Sequence, residues 1–301
     1  MNLLLVLFTL MELNCENLFN TTHDSLKNDY DYLPDSEMRW TPKRYWDKVN
    51  SIGREIIACG TDSHLPDIVC LTEVENDSVM IDLCRRSLLR NAGYEYIITN
   101  SSDERGIDVA LLYQPQSFRP LSTDTFRIAH TAEERPTRDI LRVTGLTSAR
   151  DTIDIYVVHF PSRRGGEKAS RPYRQRAAQT LIRHLNKNRN TIITGDFNDY
   201  HGDASITLFE KEGFTDLKPK ARYNKVIEGT YKYRGQWGSL DHILLRGTLA
   251  DKVTDVFIND LPFLLQGEGD TLMPRRTYRG KFYQGGYSDH LPLVVTFGAD
   301  Q

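Results

Sequence analysis

Hydrophobic positions along this chain follow two rhythms. Short, β-branched, continuously apolar runs recur between polar punctuation, which predicts strands buried on both faces. They are Leu3–Leu13, Asp67–Leu71, Tyr94–Thr99, Ile107–Tyr113, Leu141–Leu146, Ile153–His159, Thr191–Asp196, His242–Leu245 and Leu293–Phe297. Three other stretches have helical spacing. Tyr45, Val49, Ile52, Ile56 and Ile57 follow Thr41-Pro42, an N-cap with Pro at the first helical position. Asp77 is placed to cap a second helix through Val79, Leu83, Leu88 and Leu89, and a third carries Ala177, Ala178, Leu181, Ile182 and Leu185. Many strands with few helices between them predict two packed sheets flanked by helices, not one βαβ sheet. The polar stretches Asn20–Trp40, Pro161–Arg174 and Asp260–Tyr287 read as long loops, which in a compact domain are usually functional or disordered.

At 301 residues, with no repeat and no low-complexity linker, the chain is expected to form one domain over 1–301. A net charge of −3 excludes a global basic field, so any polyanion must be held by local patches. Cys15, Cys59, Cys70 and Cys84 show no metal-binding spacing and read as buried thiols. The apolar N-terminus is too short to span a bilayer, and no stable membrane insertion is expected. It reads as a strand, with a remnant export signal as the alternative. The compartment stays open, a cytoplasmic one slightly favoured. A monomer is the default.

Candidate chemistry appears where the predicted strands end. Asn14-Cys15-Glu16-Asn17 follows the first strand, Thr72-Glu73 the second, and Gly195-Asp196-Phe197-Asn198 the run through Thr194. His159 closes another strand, Asp241 opens one, and Ser288-Asp289-His290 precedes the last. Each alone has an ordinary explanation as a solvated loop group or a turn former. Together they form a set of hard oxygen ligands with histidines, at strand ends where a rigid scaffold positions catalytic groups.

The order of these pieces resembles the endonuclease/exonuclease/phosphatase superfamily, which includes deoxyribonuclease I, exonuclease III-like abasic-site endonucleases, neutral sphingomyelinases and inositol polyphosphate 5-phosphatases. The matching segments are LNCENLF at 13–19, LTEVEN at 71–76, RGIDVALLY at 105–113, VVHFPSRRGG at 157–166, TGDFND at 194–199, SLDHILL at 239–245 and YSDHLPLVV at 287–295. The resemblance implies a deoxyribonuclease I-like four-layer α/β sandwich of two mostly antiparallel sheets with helices outside. It implies that Glu73 is the main metal ligand, with Asn14 at metal and phosphate and Glu16 at a second metal position. Asp196 would orient the attacking water, Asn198 would contact phosphate, and His159 would complete the cradle. Asp289 and His290 would sit at the metal and the scissile phosphate, with Asp241 partnering the histidine. The chain looks like bacterial members. LTEVEN in place of an LQE pattern, and His159 in place of Tyr, disfavour an abasic-site role.

The expected reaction is in-line hydrolysis of a phosphodiester by an activated water with Mg2+, or with Mn2+ or Ca2+ in its place. A nuclease or phosphodiesterase acting on nucleic acid is the first reading. A phosphatase or phosphodiesterase for a small or lipid head-group ester, of the inositol phosphate or sphingomyelin type, is the second. An inactive binding scaffold is the third. Arg163, Arg164, Lys168, Arg171, Arg174 and Arg176 follow His159 and read as a phosphate-binding rim, with Arg138 as a further substrate contact.

Overall fold

The computed structural model describes residues 6–61, 64–131 and 134–298. Residues 3–5 of the first expected strand lie outside that range.

One sheet holds β1 (Val6–Leu18), β2 (Ile68–Val74), β3 (Glu95–Ile98), β4 (Asp108–Tyr113), β10 (Lys220–Ala221), β14 (Val253–Ile258) and β19 (Leu293–Gly298). Its spatial order is β10-β14-β19-β1-β2-β4-β3. The other holds β5 (Phe118–Phe126), β6 (Ile140–Thr147), β7 (Thr152–His159), β8 (Asn190–Asp196), β9 (Thr215–Asp216) and β13 (Asp241–Arg246), ordered β5-β6-β7-β8-β13-β9. Only β1–β2, β10–β14 and β7–β8 pair in parallel among these neighbours. β11 (Tyr231–Tyr233) with β12 (Gln236–Gly238), β15 (Leu265–Gln266) with β16 (Met273–Pro274), and β17 (Tyr278–Arg279) with β18 (Phe282–Tyr283) form three small hairpins in the loops.

Side-chain alternation builds the layers. Leu10, Ile68, Cys70, Val109 and Leu111 of the first sheet pack against Leu141, Val143, Ile155, Val157, Ile192 and Ile243 of the second. On the reverse face of the first sheet, Met11, Leu13, Val69 and Leu71 meet Val49, Ile52 and Ile56 of α1 (Pro42–Ala58). On the reverse face of the second, Tyr156, Val158 and Ile193 meet Ala177 and Leu181 of α3 (Glu167–Arg183) and Phe209 of α4 (Ala204–Lys211). The four-layer sandwich is therefore present. All four cysteines are buried and unpaired with one another.

Three expectations need correction. The second helix is capped by Asn76, not Asp77: the Asn76 side chain accepts from Val79 N at 3.1 Å. As α2 it spans only Asp77–Ile81 and ends in a wider turn over Asp82–Arg86, where Ser87 Oγ donates to Leu83 O. The third helix begins at Glu167, so half of the expected 161–174 loop is helical. Arg174 is also no part of a solvent-facing rim. It is fully buried, with Nε donating to Asp199 Oδ1 at 2.5 Å and Nη1 donating to Ser170 Oγ at 2.8 Å. Removing one member of a buried pair strands the other charge. Arg174→Ala is therefore expected to cost roughly 3–5 kcal/mol of stability. Calorimetry would read this as a clear fall in Tm, and an unchanged Tm would return Arg174 to the surface.

Candidate active site

The two sheets present their active ends to one cup. β7, β8 and β13 lie side by side with His159, Asp196 and Asp241 in register across the row. β1 and β2 face them with Asn14 and Glu73.

Glu73 reaches the cup through a β-bulge. Thr72 pairs with Val109 and Val74 with Asp108, which leaves Glu73 as the extra residue at φ +59°. Regular alternation would send it to the helix-covered face with Val69 and Leu71, and the bulge re-aims it. Glu16 (φ +48°), Asn17 (φ +58°) and Asn198 (φ +50°) share this left-handed conformation. Such backbone is costly for residues other than glycine, and here four cases gather at one site. Gly195 prepares the turn. Its φ is +137°, and a Cβ there would lie 1.9 Å from Val158 O on the neighbouring strand, so only glycine lets β8 run this close to β7.

The contacts are dense. Asn14 Nδ2 donates to Asp196 Oδ2 at 3.0 Å, and Asn198 N donates to Asp196 Oδ1 at 2.8 Å. His290 Nδ1 lies 2.7 Å from Asp241 Oδ2, which also accepts from Thr230 Oγ1. Asp289 Oδ1 is 4.0 Å from His290 Nε2, and Asp289 Oδ2 accepts from Arg276 Nη2 at 2.5 Å. His159 Nε2 sits 3.6 Å from Asp196 Oδ2 and 3.8 Å from Glu73 Oε1. Asn17 N donates to Glu73 Oε2 at 2.9 Å, and Asn198 Nδ2 donates to Phe160 O at 3.1 Å.

Burial and neighbouring charge set the protonation. Burial raises Asp196 to about 7, and Asp241 adds to the rise. Burial alone would lower His290, but Asp241, Asp289 and Asp196 together hold it well above the usual histidine range, so it is an imidazolium. Burial, Arg138 and Arg105 push His159 well below that range, so it is neutral and its carboxylate neighbours are not ion-pair partners. Burial and Asp289 raise Glu16 to about 7.

Glu73, Asp289 and Asn14 give the cup an oxygen-rich donor set, which fits a hard divalent cation. Glu16 is more committed. Its carboxylate accepts from Thr277 N at 2.5 Å and Tyr278 N at 3.2 Å, with Arg276 Nε 3.6 Å away.

The expected substrate arginines divide. Arg138 is buried, donating to Phe160 O at 2.7 Å, and it lines a cleft of about 540 Å³ together with Arg105, Arg135, Arg164 and Tyr173. Arg163 instead points to the loop after β8. It donates to Asp203 Oδ2 at 2.8 Å and stacks over Tyr200 at 4.8 Å.

Sequence reasoning passed over two groups. Glu12 is fully buried, with both carboxyl oxygens lacking a hydrogen-bond partner among the described residues. Burial, then Asp241, raises its pKa far above the carboxylate range, so it is a neutral acid beneath the cup. An acid two positions before Asn14, inside an apolar strand, was the available signal. Thr230 orders Asp241, and nothing in the local pattern marks it, while Arg276, in the basic run of Arg275, Arg276, Arg279 and Lys281 that reads as a further phosphate-binding rim, instead bridges Glu16 and Asp289.

Residues 9–298 match the family model described as Endonuclease/Exonuclease/phosphatase family. No curated protein matches significantly. Among solved structures, the chain is similar to an endonuclease/exonuclease/phosphatase family protein from Bacteroides thetaiotaomicron, at 16% identity and TM-score 0.64, covering 98% of both chains. It is similar to mannosyl-6-phosphatase Bt3783 from the same organism, at 17% identity and TM-score 0.63, covering 96% of this chain and 98% of that one. It is also similar to the human Nocturnin catalytic domain with bound sulfate, at 18% identity and TM-score 0.57, covering 98% and 96%. At these identities the structures speak for the fold, while the family model spans almost the whole sequence, and the chain belongs to the endonuclease/exonuclease/phosphatase family.

Proposed function

We propose that this protein is a divalent-metal-dependent phosphoester hydrolase acting by in-line attack of water. The observation that carries the reading is the buried row of His159, Asp196 and Asp241 on one sheet, with Asn14, Glu73 and His290 meeting it from the other across one cup. A cation such as Mg2+ would be held by Glu73, with Asp289 and Asn14 at hand, and would supply charge neutralisation at the phosphate.

The side chains divide the remaining work. Asp196, braced by Asn14 and by the Asn198 amide, aligns a water and takes its proton. His290, charged and oriented by Asp241, donates from Nε2 to a non-bridging phosphate oxygen. Neutral His159 and Asn198 offer further fixed donors, which act strongly in a site that burial has dried.

The pH profile follows from these states. Asp196 works as a carboxylate, and protonation disables it. A cation at Glu73 draws its pKa down from about 7. The kcat/KM is therefore expected to rise with pH along a limb at or below 7, and to fall again where His290 loses its proton. A profile that instead declines from about pH 5 to 7 would reverse the assignment of Asp196 as base.

For the substrate, a compact phosphoester is favoured over a long nucleic acid. Arg171, Arg174 and Arg176 are paired with Glu167, Asp199 and Glu134, and Arg163 with Asp203. That neutralises much of the rim that would track a polyanion. The nuclease reading retains the cleft of Arg105, Arg135, Arg138 and Arg164. Plasmid nicking and small-ester hydrolysis, each measured across a salt series, separate the two. Contact with several phosphates makes affinity fall steeply with salt, and one phosphate does not. Turnover of small esters with a shallow salt slope and no nicking supports the compact substrate. Efficient nicking with a steep slope supports a nuclease.

A further inference from the structure

His201, Asp216 and His242 form a second cluster behind the catalytic row, and the reaction uses none of them. His201 lies in the turn leading into α4, Asp216 on edge strand β9, and His242 directly after Asp241 on β13. One ligand atom from each residue lies within 4.8 Å of the others. His242 Nδ1 is 3.1 Å from Asp216 Oδ1, and His201 Nδ1 contacts Asp216 Oδ2. The two imidazole rings meet edge to face, with centroids 4.6 Å apart.

The ring orientation favours ligation. His242 Nε2 lies 2.8 Å from Asp199 O. A carbonyl oxygen only accepts, so Nε2 carries the proton and donates. The Nδ1 edge then faces Asp216, where a proton bridges the 3.1 Å contact and an ion would take that proton's place, with the carbonyl orienting the ring as it does behind a metal-ligating histidine. Bonds of about 2.0–2.2 Å to a tetrahedral ion put donor atoms roughly 3.4 Å apart, close to the spacing between His242 and Asp216. Two imidazoles and one carboxylate suit zinc better than magnesium, which prefers oxygen ligands. The His201 side chain is 31% exposed, which gives an entry path and room for a water as fourth ligand.

We infer that His201, Asp216 and His242 bind a transition-metal ion of the Zn2+ type at a site separate from the catalytic cup. The ion ties β9 and the 199–203 turn to β13, one residue beyond Asp241. It acts as a clamp behind the phosphate-binding turn and takes no part in bond breaking. The inference stands whether or not the hydrolase reading does.

The test is zinc stoichiometry of the EDTA-stripped protein, titrated with ZnCl2 in excess Mg2+ and read by elemental analysis after dialysis. Cobalt(II) titration provides a second readout through the visible absorption of tetrahedral Co2+. The wild type and Glu73→Gln are expected to retain the same zinc equivalent and the same cobalt bands. His201→Ala, at a partly exposed position, is expected to lose both, and so is Asp216→Asn. A wild type that retains no zinc overturns the inference. So does a His201→Ala protein that binds as much zinc as wild type, or a zinc equivalent that disappears in Glu73→Gln.

Discussion

Asp196→Asn is expected to lower kcat by roughly 100- to 10,000-fold, the range a positioned general base contributes. The substitution keeps the shape but leaves one accepting oxygen for the two donors, Asn14 Nδ2 and Asn198 N, so one of these hydrogen bonds is lost. What disappears is the ability to take a proton from water. Because the carboxyl is 2% exposed, no bulk base reaches the same position easily. KM should change little, and Tm should shift only modestly, since relief of a buried group raised to about 7 offsets the lost hydrogen bond. Steady-state kinetics with a chromogenic ester checks this. A kcat within a few-fold of wild type would remove Asp196 from the chemistry.

Glu73→Gln is expected to have an effect of similar size by a different route. The amide preserves an acceptor for Asn17 N but removes the negative charge that holds the cation. Losing the metal forfeits charge neutralisation worth several kcal/mol in the transition state, so turnover should fall by at least about 100-fold at ordinary metal levels. Raising the metal concentration should recover part of the loss in Glu73→Gln and none in Asp196→Asn. Equal metal dependence in wild type and Glu73→Gln would take the ion away from this residue.

How far the sequence could be read depended on whether a feature was local. The buried strands were legible because continuous apolar runs have one common explanation in a two-sheet protein. β5 was hidden because Pro120 interrupts it and its edge position leaves an irregular exposure pattern. The N-terminal half of α3 was hidden by charge and by Pro172 within the helix. In the site, Glu73, Asp196, Asp241, Asp289 and His290 stood out by order along the chain, and folding brings them together. The bulge that delivers Glu73 could not be read from alternation, which would have turned it away. The arginines after His159 were the harder case. Composition shows a basic run, but the pairing of Arg174 with Asp199 and of Arg176 with Glu134 is a matter of tertiary contact. Glu12 was visible as an acid in an apolar strand, yet only its placement beneath Asp241 gives it meaning.

The most direct test is hydrolysis of bis-p-nitrophenyl phosphate by the purified protein with Mg2+, beside EDTA-treated and His290→Ala samples. Hydrolysis is expected that EDTA abolishes and Mg2+ restores, with His290→Ala slower by about 100-fold or more. Hydrolysis that persists in EDTA, or at an undiminished rate without His290, would contradict a metal-dependent site in this cup.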